Sequence, residues 1–454
     1  MSMFRRFWTH RFGALIALGL ICIAGLASGC GGDDSKDETA TSGGGQSAKV
    51  EGTLSLWEVA AAPRENQWWK QLAADFHAKY PDATVEVSPY GTQDYFTKKQ
   101  AAFSSGDEPD ISLVSGPGEE IFQFVRAGKL APLDDLAPVD QFQRGHLDAY
   151  RAGDGNELYA VPISLTVISM WYNKGLFADN GLDVPKTWDD LKAACTKLRS
   201  AGVTPIALGV GGQDAWTAAH LFDSIAYQYG GRTGTLDATY GTDGASWKGE
   251  PIVQAATSFK DLVDTKCFSD GAAGLNYGQM SSQFLRGDAA MIFTGTWFPG
   301  ELQSTKSKLD VGLIPLPDAP GGSHSTANQD GVLGAEEGMQ VSKRAADEKP
   351  ELVKAFLQFL ADRADDFANF NDKVSVVAQP KPTRNALAQE ATDLSKATKE
   401  FVAPTDVTLP GYIYDSYYTN LQGLVRGDSP EKFTSAMEEA VESDRSRLPE
   451  SATG

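Results

Sequence analysis

The 454-residue sequence predicts an α/β fold in which mixed sheets are flanked by helices and the chain forms two lobes. Strand patterns alternate with helical patterns from Val50 onward, which is typical of sheets covered by helices on both faces. The length exceeds that of one small domain and favours two lobes. With 41% hydrophobic and 10% aromatic residues, the chain has enough apolar material for large cores.

The first lobe is predicted to open with a β-α-β-α-β unit, and Pro81 ends its first helix. The predicted strands are 53–57, 83–87 and 109–114, and the predicted helices are 69–80 and 94–104. Ligands bind beyond the carboxyl ends of strands in such sheets. Trp57 and Glu58 at the first strand end, and Ser115 and Gly116 after the third, are therefore candidate contacts. For Ser115 and Gly116, an ordinary turn is the alternative.

A second α/β unit follows Pro162, and several strand crossings between the lobes would suit this layout. Thr187 and Asp190 have the spacing of a capping box that opens a helix. The predicted strands are 204–208, 289–293, 311–315 and 339–342, and the predicted helices are 187–198 and 252–263. The remainder to Arg445 is predicted to be largely helical.

Residues 1–29 have the pattern of a secretory signal peptide. Three arginines precede an apolar stretch over 14–27, whose 14 residues are fewer than the roughly 20 that a transmembrane helix needs. Small residues before Cys30 resemble a bacterial lipobox, in which the cysteine is acylated. A buried structural Cys30 is the alternative, but the glycines and aspartates that follow cannot build a core. Residues 30–49 are predicted to be a flexible tether.

The charge and the cysteines narrow the classes of function. Forty Lys and Arg against 60 Asp and Glu give a net charge of −20, which excludes a general affinity for nucleic acid. Cys195 and Cys267 are a candidate disulfide for an exported protein. Two separate buried cysteines are the alternative, because Cys195 also lies on an apolar helical stripe. The five histidines lack the spacing of metal ligands, so neither a metal nor a cofactor is expected.

Several short motifs, in this order and spacing, carry a resemblance to a known family. In chain order they are Leu56-Trp57, the runs over 106–111 and 128–133, Tyr159-Ala160-Val161-Pro162, Trp171-Tyr172-Asn173-Lys174, Pro185-Lys186-Thr187-Trp188 and the run over 284–291. Nearly the whole mature chain resembles family 1 extracellular solute-binding proteins, the maltose-binding-protein-like receptors of carbohydrate ABC importers. The resemblance implies a type II periplasmic-binding-protein-like fold that closes over a sugar. The implied lobes are 50–162 with 313–338 and 163–312 with 339–454, hinged near 162–166, 311–318 and 338–343.

The resemblance also implies partners and further site residues. It implies a lipid-anchored monomer on the outer face of the cytoplasmic membrane, which delivers its sugar to permease subunits driven by a separate ATPase. Trp297 matches the family's stacking tryptophan, with a place in the core as its alternative. The other implied contacts are Gln93, Asp94, Thr166, Asp214, Trp216, Glu336, Glu337, Tyr414 and Tyr417. For Asp94 the alternative is a helix cap, and one of Glu336 and Glu337 is expected to face solvent.

Sugar chemistry fits these residue types. Aromatic rings suit the apolar C–H face of a sugar, and carboxylates and amides suit its hydroxyls. Three other classes of protein stay as alternatives. An exported glycosidase would use two carboxylates, a receptor for a polyamine or metal would use the same fold, and an adhesive protein would lack the hinge. Trp68, Trp69, Trp171 and Trp188 are expected to lie in the cores.

Overall fold

The computed structural model describes residues 49–59, 63–116, 118–153, 155–383 and 385–448. The predicted signal peptide, Cys30 and the tether before Lys49 lie outside these ranges. Within the described ranges, no helix has the length and apolar character needed to cross a membrane.

Strands and helices alternate through the first half of the chain, and helices dominate the end. The strands are β1 (Gly52–Val59), β2 (Ala83–Tyr90), β3 (Ile111–Ser115), β4 (Arg151–Ala152), β5 (Glu157–Leu158), β6 (Ala160–Asn173), β7 (Thr204–Ala207), β8 (Ala289–Gly295), β9 (Val311–Ile314), β10 (Gly331–Val341) and β11 (Glu400–Val402). The helices are α1 (Pro63–Lys79), α2 (Thr92–Ser105), α3 (Glu119–Arg126), α4 (Arg144–Asp148), α5 (Lys174–Asp179), α6 (Trp188–Ser200), α7 (Trp216–Gly230), α8 (Gly234–Tyr240), α9 (Glu250–Asp264), α10 (Tyr277–Leu285), α11 (Phe298–Ser304), α12 (Lys343–Glu348), α13 (Pro350–Ala361), α14 (Ala364–Phe370), α15 (Ala386–Ala397), α16 (Thr405–Thr408), α17 (Gly411–Val425) and α18 (Pro430–Asp444).

The main sheet is mixed, as predicted. Its strand order is β2-β1-β3-β10-β6-β8-β7, with β9 also paired to β6 and β11 to β10. β1 pairs in parallel with β2 and β3, whereas β10 pairs antiparallel with β3 and β6. The long strands β6 and β10 therefore hold the middle of the sheet.

Two large hydrophobic cores lie along this sheet. The first contains Leu56 of β1, Trp69 of α1 and Phe356 of α13. The second contains Phe222 of α7 and Phe433 of α18. The four tryptophans expected in the cores are buried. Burial of such aromatic side chains is the main favourable term in folding each core.

β6 and β10 are the strands that pass from one core to the other. Along β6, Val167 belongs to the first core and Ile168 to the second. Along β10, Leu333 belongs to the second core and Met339 to the first. The crossing of β6 therefore lies at 167–168, whereas β10 contacts the first core at Val332 and Met339 and the second core at Leu333.

The core packing of two segments bears on the predicted lobe boundaries, which stay a prediction. The segment that begins at residue 339 is predicted in the second lobe, and its helix α13 packs in the first core, where its apolar stripe covers the sheet beside β1. Within the predicted crossing at 311–318, Leu313 packs against the first core and Leu316 in the second. Sequence periodicity fixes which face of an element is apolar, but not which core that face meets.

The predicted capping box sets the start of α6. Thr187 and Asp190 form a complete capping box at the start of α6: the Asp190 N–H donates to Thr187 Oγ1 at 3.1 Å, and the Thr187 N–H donates to Asp190 Oδ2 at 3.0 Å. Such a cap stabilises a helix by about 1 kcal/mol.

A disulfide joins Cys195 of α6 to Cys267, which follows α9, at a sequence separation of 72. Both cysteines are fully buried in the second core. The link ties α6 to the segment that follows α9, as one of the two sequence interpretations expected.

Removing this disulfide should destabilise the chain. Loop-closure entropy for about 70 residues predicts a loss of roughly 4 kcal/mol for the Cys195→Ala/Cys267→Ala variant. Urea unfolding of this variant and of the oxidised protein, followed by circular dichroism, measures the loss. Equal midpoints for the two proteins would contradict a structural role.

Candidate functional site

Three aromatic side chains form a half-buried cluster beside the second core, here called the aromatic platform: Trp216, Tyr277 and Trp297. Trp216 begins α7, Tyr277 begins α10, and Trp297 lies between β8 and α11. The Trp216 ring centroid lies 4.9 Å from that of Tyr277 and 5.8 Å from that of Trp297. Three chain segments therefore bring their rings to one place.

Hydrogen bonds and close packing set the orientation of the platform. The Trp297 indole Nε1–H donates to the Tyr277 hydroxyl at 2.7 Å. The Trp216 Nε1–H donates to Asp214 Oδ1 at 3.1 Å, and Asp214 Oδ2 accepts from the Tyr277 N–H at 2.9 Å. The Trp297 ring also lies against Gly295, where a Cβ atom would come within 2.0 Å of a ring carbon. A side chain at Gly295 would thus displace the indole.

A buried carboxylate cluster lies at the carboxyl end of β1. It consists of Glu58 at the end of β1, Glu65 of α1, Glu337 of β10 and the ammonium group of Lys373. Lys373 Nζ lies 2.9 Å from Glu65 Oε1 and 2.6 Å from Glu337 Oε2. Although burial lowers the pKa of Lys373, the two glutamates together raise it above its ordinary value.

Glu58 differs from the other members of this cluster. Its side chain is 0% exposed, and neither carboxylate oxygen has a hydrogen-bond partner among the described residues. Burial and the neighbouring Glu65 carboxylate raise the pKa of Glu58 from 4.5 to about 8. An unsatisfied buried carboxyl group costs free energy. Glu58 therefore holds capacity to bond an incoming polar group.

The platform and the carboxylate cluster border the same stretch of β6. The Val167 N–H donates to Oγ1 of Thr296, the residue before Trp297, at 3.3 Å. The preceding Thr166 carries Oγ1 at 3.5 Å from Glu337 Oε1. The candidate site therefore lies where β6 passes between the cores.

Two further contacts between elements that are distant in sequence lie around this region. Arg64 of α1 donates to Gln303 of α11 at 2.7 Å and to Asp372 at 2.8 Å. On the other side, a Cβ at Gly118 would lie 2.5 Å from the Val407 carbonyl oxygen, so the two backbones touch there. The Arg64 hydrogen bonds and the approach of Gly118 to Val407 thus border the candidate site.

Comparison with known proteins identifies the family. Residues 61–366, about two thirds of the chain, match the bacterial extracellular solute-binding proteins. The chain belongs to this family. An uncharacterized ABC transporter extracellular-binding protein of Pyrococcus horikoshii is 28% identical over 313 residues, which are 67% of this chain and 68% of that protein.

One more relative and one solved structure extend the comparison of this solute-binding protein with known proteins. A probable sugar-binding periplasmic protein of Rhizobium meliloti is 25% identical over 329 residues, which are 67% of this chain and 77% of its own. A solved structure of a chitin oligosaccharide binding protein has a TM-score of 0.78 and 24% identity, and covers 87% of this chain and 99% of its own. This likeness confirms the predicted solute-binding-protein fold.

Several other predicted site residues of the solute-binding protein lie close to the crossing strands. The Ser115 N–H donates to Glu120 Oε2 at 3.3 Å. Gly116 has φ +100° and packs between Ala335 and Val407, where a Cβ would lie 3.1 and 3.2 Å from their side chains. Gly116 is thus needed for a close approach between elements of the two cores.

Glu336 and Glu337 do not divide as expected. Their side chains are 9% and 19% exposed, so neither faces bulk solvent. Glu336 Oε1 lies 3.0 Å from His146 Nδ1, while Glu337 Oε2 accepts from Ser164 Oγ at 2.7 Å. Consecutive residues of a strand point to opposite faces, and here each face offers its own polar partner.

Two predicted contacts lie on α17. The Tyr417 side chain is 0% exposed, and its hydroxyl donates to Asp223 at 2.7 Å. Tyr417 thus belongs to the second core and not to a site wall. Tyr414, three residues earlier on α17, is half-buried, with its ring 5.4 Å from that of Tyr418.

Gln93 and Asp94 follow β2 in the chain, and Trp57 of β1 contacts the last residue of β2, Tyr90. Asp94 is exposed in the first turn of α2 and lies 3.6 Å from Lys98, whereas the N-cap position belongs to Gly91. The Gln93 side chain is outside the described part of the structure. The Trp57 ring packs on Tyr90 with centroids 4.9 Å apart.

Three residues at the candidate site were missed from the sequence: Glu65, Tyr277 and Lys373. Glu65 reads as an ordinary first-turn acid of α1 and Tyr277 as the first residue of a capped helix. Lys373 follows α14, more than 300 residues from Glu65. Only the fold brings these side chains to the site.

The raised pKa of Glu58 predicts that the ligand-free protein loses stability as pH rises from about 4.5 to 8. Below this window Glu58 is protonated in both the folded and the unfolded chain. Within it the unfolded chain releases the proton more readily, so ionisation favours unfolding. The Glu58→Gln variant should lack this contribution. Urea unfolding of both proteins at pH 5 and pH 8 measures it, and a stability difference that is the same at both pH values would contradict it.

Proposed function

We propose that this solute-binding protein captures a sugar between the aromatic platform and the carboxylate cluster, and delivers it to an ABC importer. The observation that carries the proposal is the pairing of two fixed, half-buried indoles with a carboxyl group that has no hydrogen-bond partner among the described residues. Indole faces bind the C–H face of a pyranose, and a carboxyl group bonds its hydroxyls. A stacking surface and a hydrogen-bonding carboxyl group would thus both be available to a sugar where β6 crosses between the cores.

The magnitudes are sufficient for a transport receptor. Stacking that buries roughly 100 Å² on one indole contributes about 2.5 kcal/mol. Hydrogen bonds to a charged group contribute about 1.5–3 kcal/mol each. After association entropy is subtracted, two stacked rings and several such bonds give a free energy near −8 kcal/mol, or micromolar affinity.

The printed names of the relatives support the sugar and the transport role. One is a probable sugar-binding periplasmic protein, and one solved structure is a chitin oligosaccharide binding protein. By this proposal the mature chain is acylated at Cys30 and held as a monomer on the outer face of the cytoplasmic membrane. The loaded receptor docks on permease subunits, whose separate ATPase supplies the energy. It binds without turnover.

A polyamine is the second candidate ligand, and Glu58 is the observation that favours it. Within the carboxylate cluster, Lys373 is the ammonium group shared by Glu65 and Glu337, while Glu58 is unpaired. An added ammonium group would favour the ionised form of Glu58 and pair with it, and aromatic faces also attract cations. We favour a sugar over a polyamine because a pyranose ring can stack on the indole faces of Trp216 and Trp297 as well as bond to Glu58.

Thermal-shift screening of the mature protein separates the two candidates. The panel contains galactose, xylotriose, raffinose, maltotriose and diacetylchitobiose against spermidine and putrescine. A sugar should raise the melting temperature by mass action, with amines inactive. Stabilisation by an amine and by none of the sugars would favour the second candidate. Chromatography of an active oligosaccharide after incubation tests turnover, and released fragments would contradict the receptor role.

A further inference from the structure

A second layer of polar groups lies behind the aromatic platform. Glu301 of α11 accepts hydrogen bonds from the Tyr277 hydroxyl through Oε1 and from Ser281 Oγ through Oε2. The same Tyr277 oxygen accepts the Trp297 indole N–H at 2.7 Å. Carboxylate, phenol and indole thus form one chain of hydrogen bonds that ends at the ring of Trp297.

The direction of this chain is fixed by its donors and acceptors. A phenol has a single O–H, and an indole can only donate. Since Tyr277 gives its proton to Glu301, its lone pairs are free to accept from Trp297. Chains in which each bond polarises the next are stronger than isolated bonds. The Trp297 indole therefore has one defined acceptor and one defined orientation.

The packing around Trp297 leaves part of the ring exposed. Gly295 lies against one side of the indole, and Trp216 meets it at an interplanar angle of 66°. The ring is nevertheless half-buried, whereas Trp171 and Trp247 are 0% exposed within the cores. A half-buried indole keeps rotamer freedom that a core tryptophan lacks.

We propose that Tyr277 and Glu301 are positioning residues for sugar binding, which hold the Trp297 indole in the orientation that stacks on a pyranose. This inference rests on the proposed function. Its physical basis is preorganisation: a ring held in place before binding loses less conformational entropy when the sugar arrives. Asp214 plays the same part for Trp216 and also accepts the backbone N–H of Tyr277.

The first test needs no ligand. In ¹⁵N-labelled protein, the indole N–H resonance of Trp297 is assigned by its loss in Trp297→Phe. Tyr277→Phe should move this resonance and speed its hydrogen exchange, while the Trp216 resonance, whose acceptor is Asp214, stays in place. Tyr229→Phe is the matched control, since that hydroxyl bonds Ser258 and the Pro320 carbonyl away from the platform. An unmoved Trp297 resonance in Tyr277→Phe would overturn the inference.

The second test uses the sugar of the panel that gives the largest thermal shift. Its Kd, measured by calorimetry, should rise about tenfold in Tyr277→Phe and in Glu301→Leu. Glu301→Gln keeps an acceptor for Tyr277 and should recover most of this loss, and Tyr229→Phe should bind like the parent. An unchanged Kd in Tyr277→Phe would overturn the positioning role. If no sugar on the panel binds, the proposed function fails, while the indole resonance alone still judges the hydrogen-bond chain.

Discussion

Replacing Trp297 with alanine is expected to weaken sugar binding at least about tenfold while leaving the melting temperature of the ligand-free protein nearly unchanged. The half-buried indole offers its face to the ligand, and losing a stack of roughly 100 Å² removes about 2.5 kcal/mol of binding free energy. Calorimetric titration of the parent and of Trp297→Ala with the same sugar measures the loss.

Trp171→Ala is the matched control for this prediction. Trp171 is 0% exposed, and its Nε1–H donates to the Thr294 carbonyl at 3.0 Å, so its loss should cost about 3–5 kcal/mol of folding stability. If Trp297→Ala destabilised the ligand-free protein as much as Trp171→Ala does, Trp297 would be assigned to the core.

Replacing Lys373 with methionine is expected to destabilise the folded protein by about 3–5 kcal/mol. The ammonium group is the shared partner of Glu65 and Glu337, and removing it leaves two buried carboxylates uncompensated. Urea unfolding followed by circular dichroism measures the change.

Two variants sharpen the test of Lys373. Lys381→Met breaks an exposed pair with Asp366 and should cost less than about 1 kcal/mol. Adding Glu65→Gln and Glu337→Gln to Lys373→Met removes the uncompensated charges and should restore much of the lost stability. A loss in Lys373→Met no larger than that in Lys381→Met would show that the cluster does not stabilise the fold.

The sequence predicted the first lobe's elements well, because their periodicity is clear. Leu54 and Leu56 alternate with more exposed neighbours in β1, and α1 has an apolar stripe. The 14-residue β6 was missed: nearly every residue in it is buried, so it has no alternation to detect. β11 has three residues and is defined only by its pairing with β10.

The site was predictable only in part. Trp297 follows β8 and Glu58 lies near the end of β1, so strand patterns could single them out, and their contact with a ligand stays a prediction. Tyr417 failed as a prediction because one turn of α17 decides whether a tyrosine faces a wall or the core. Tyr277 and Lys373 act through partners that are distant in sequence, and no local pattern marks such partners.

Isothermal titration calorimetry of the mature protein against the saccharide panel, repeated at several temperatures, tests the central claim most directly. We expect saturable heat with at least one saccharide and a negative heat-capacity change, because stacking on the platform buries apolar surface. The same titration of Glu58→Gln should show weaker binding. No heat with any saccharide at any of these temperatures, together with saturable heat for spermidine, would contradict the account.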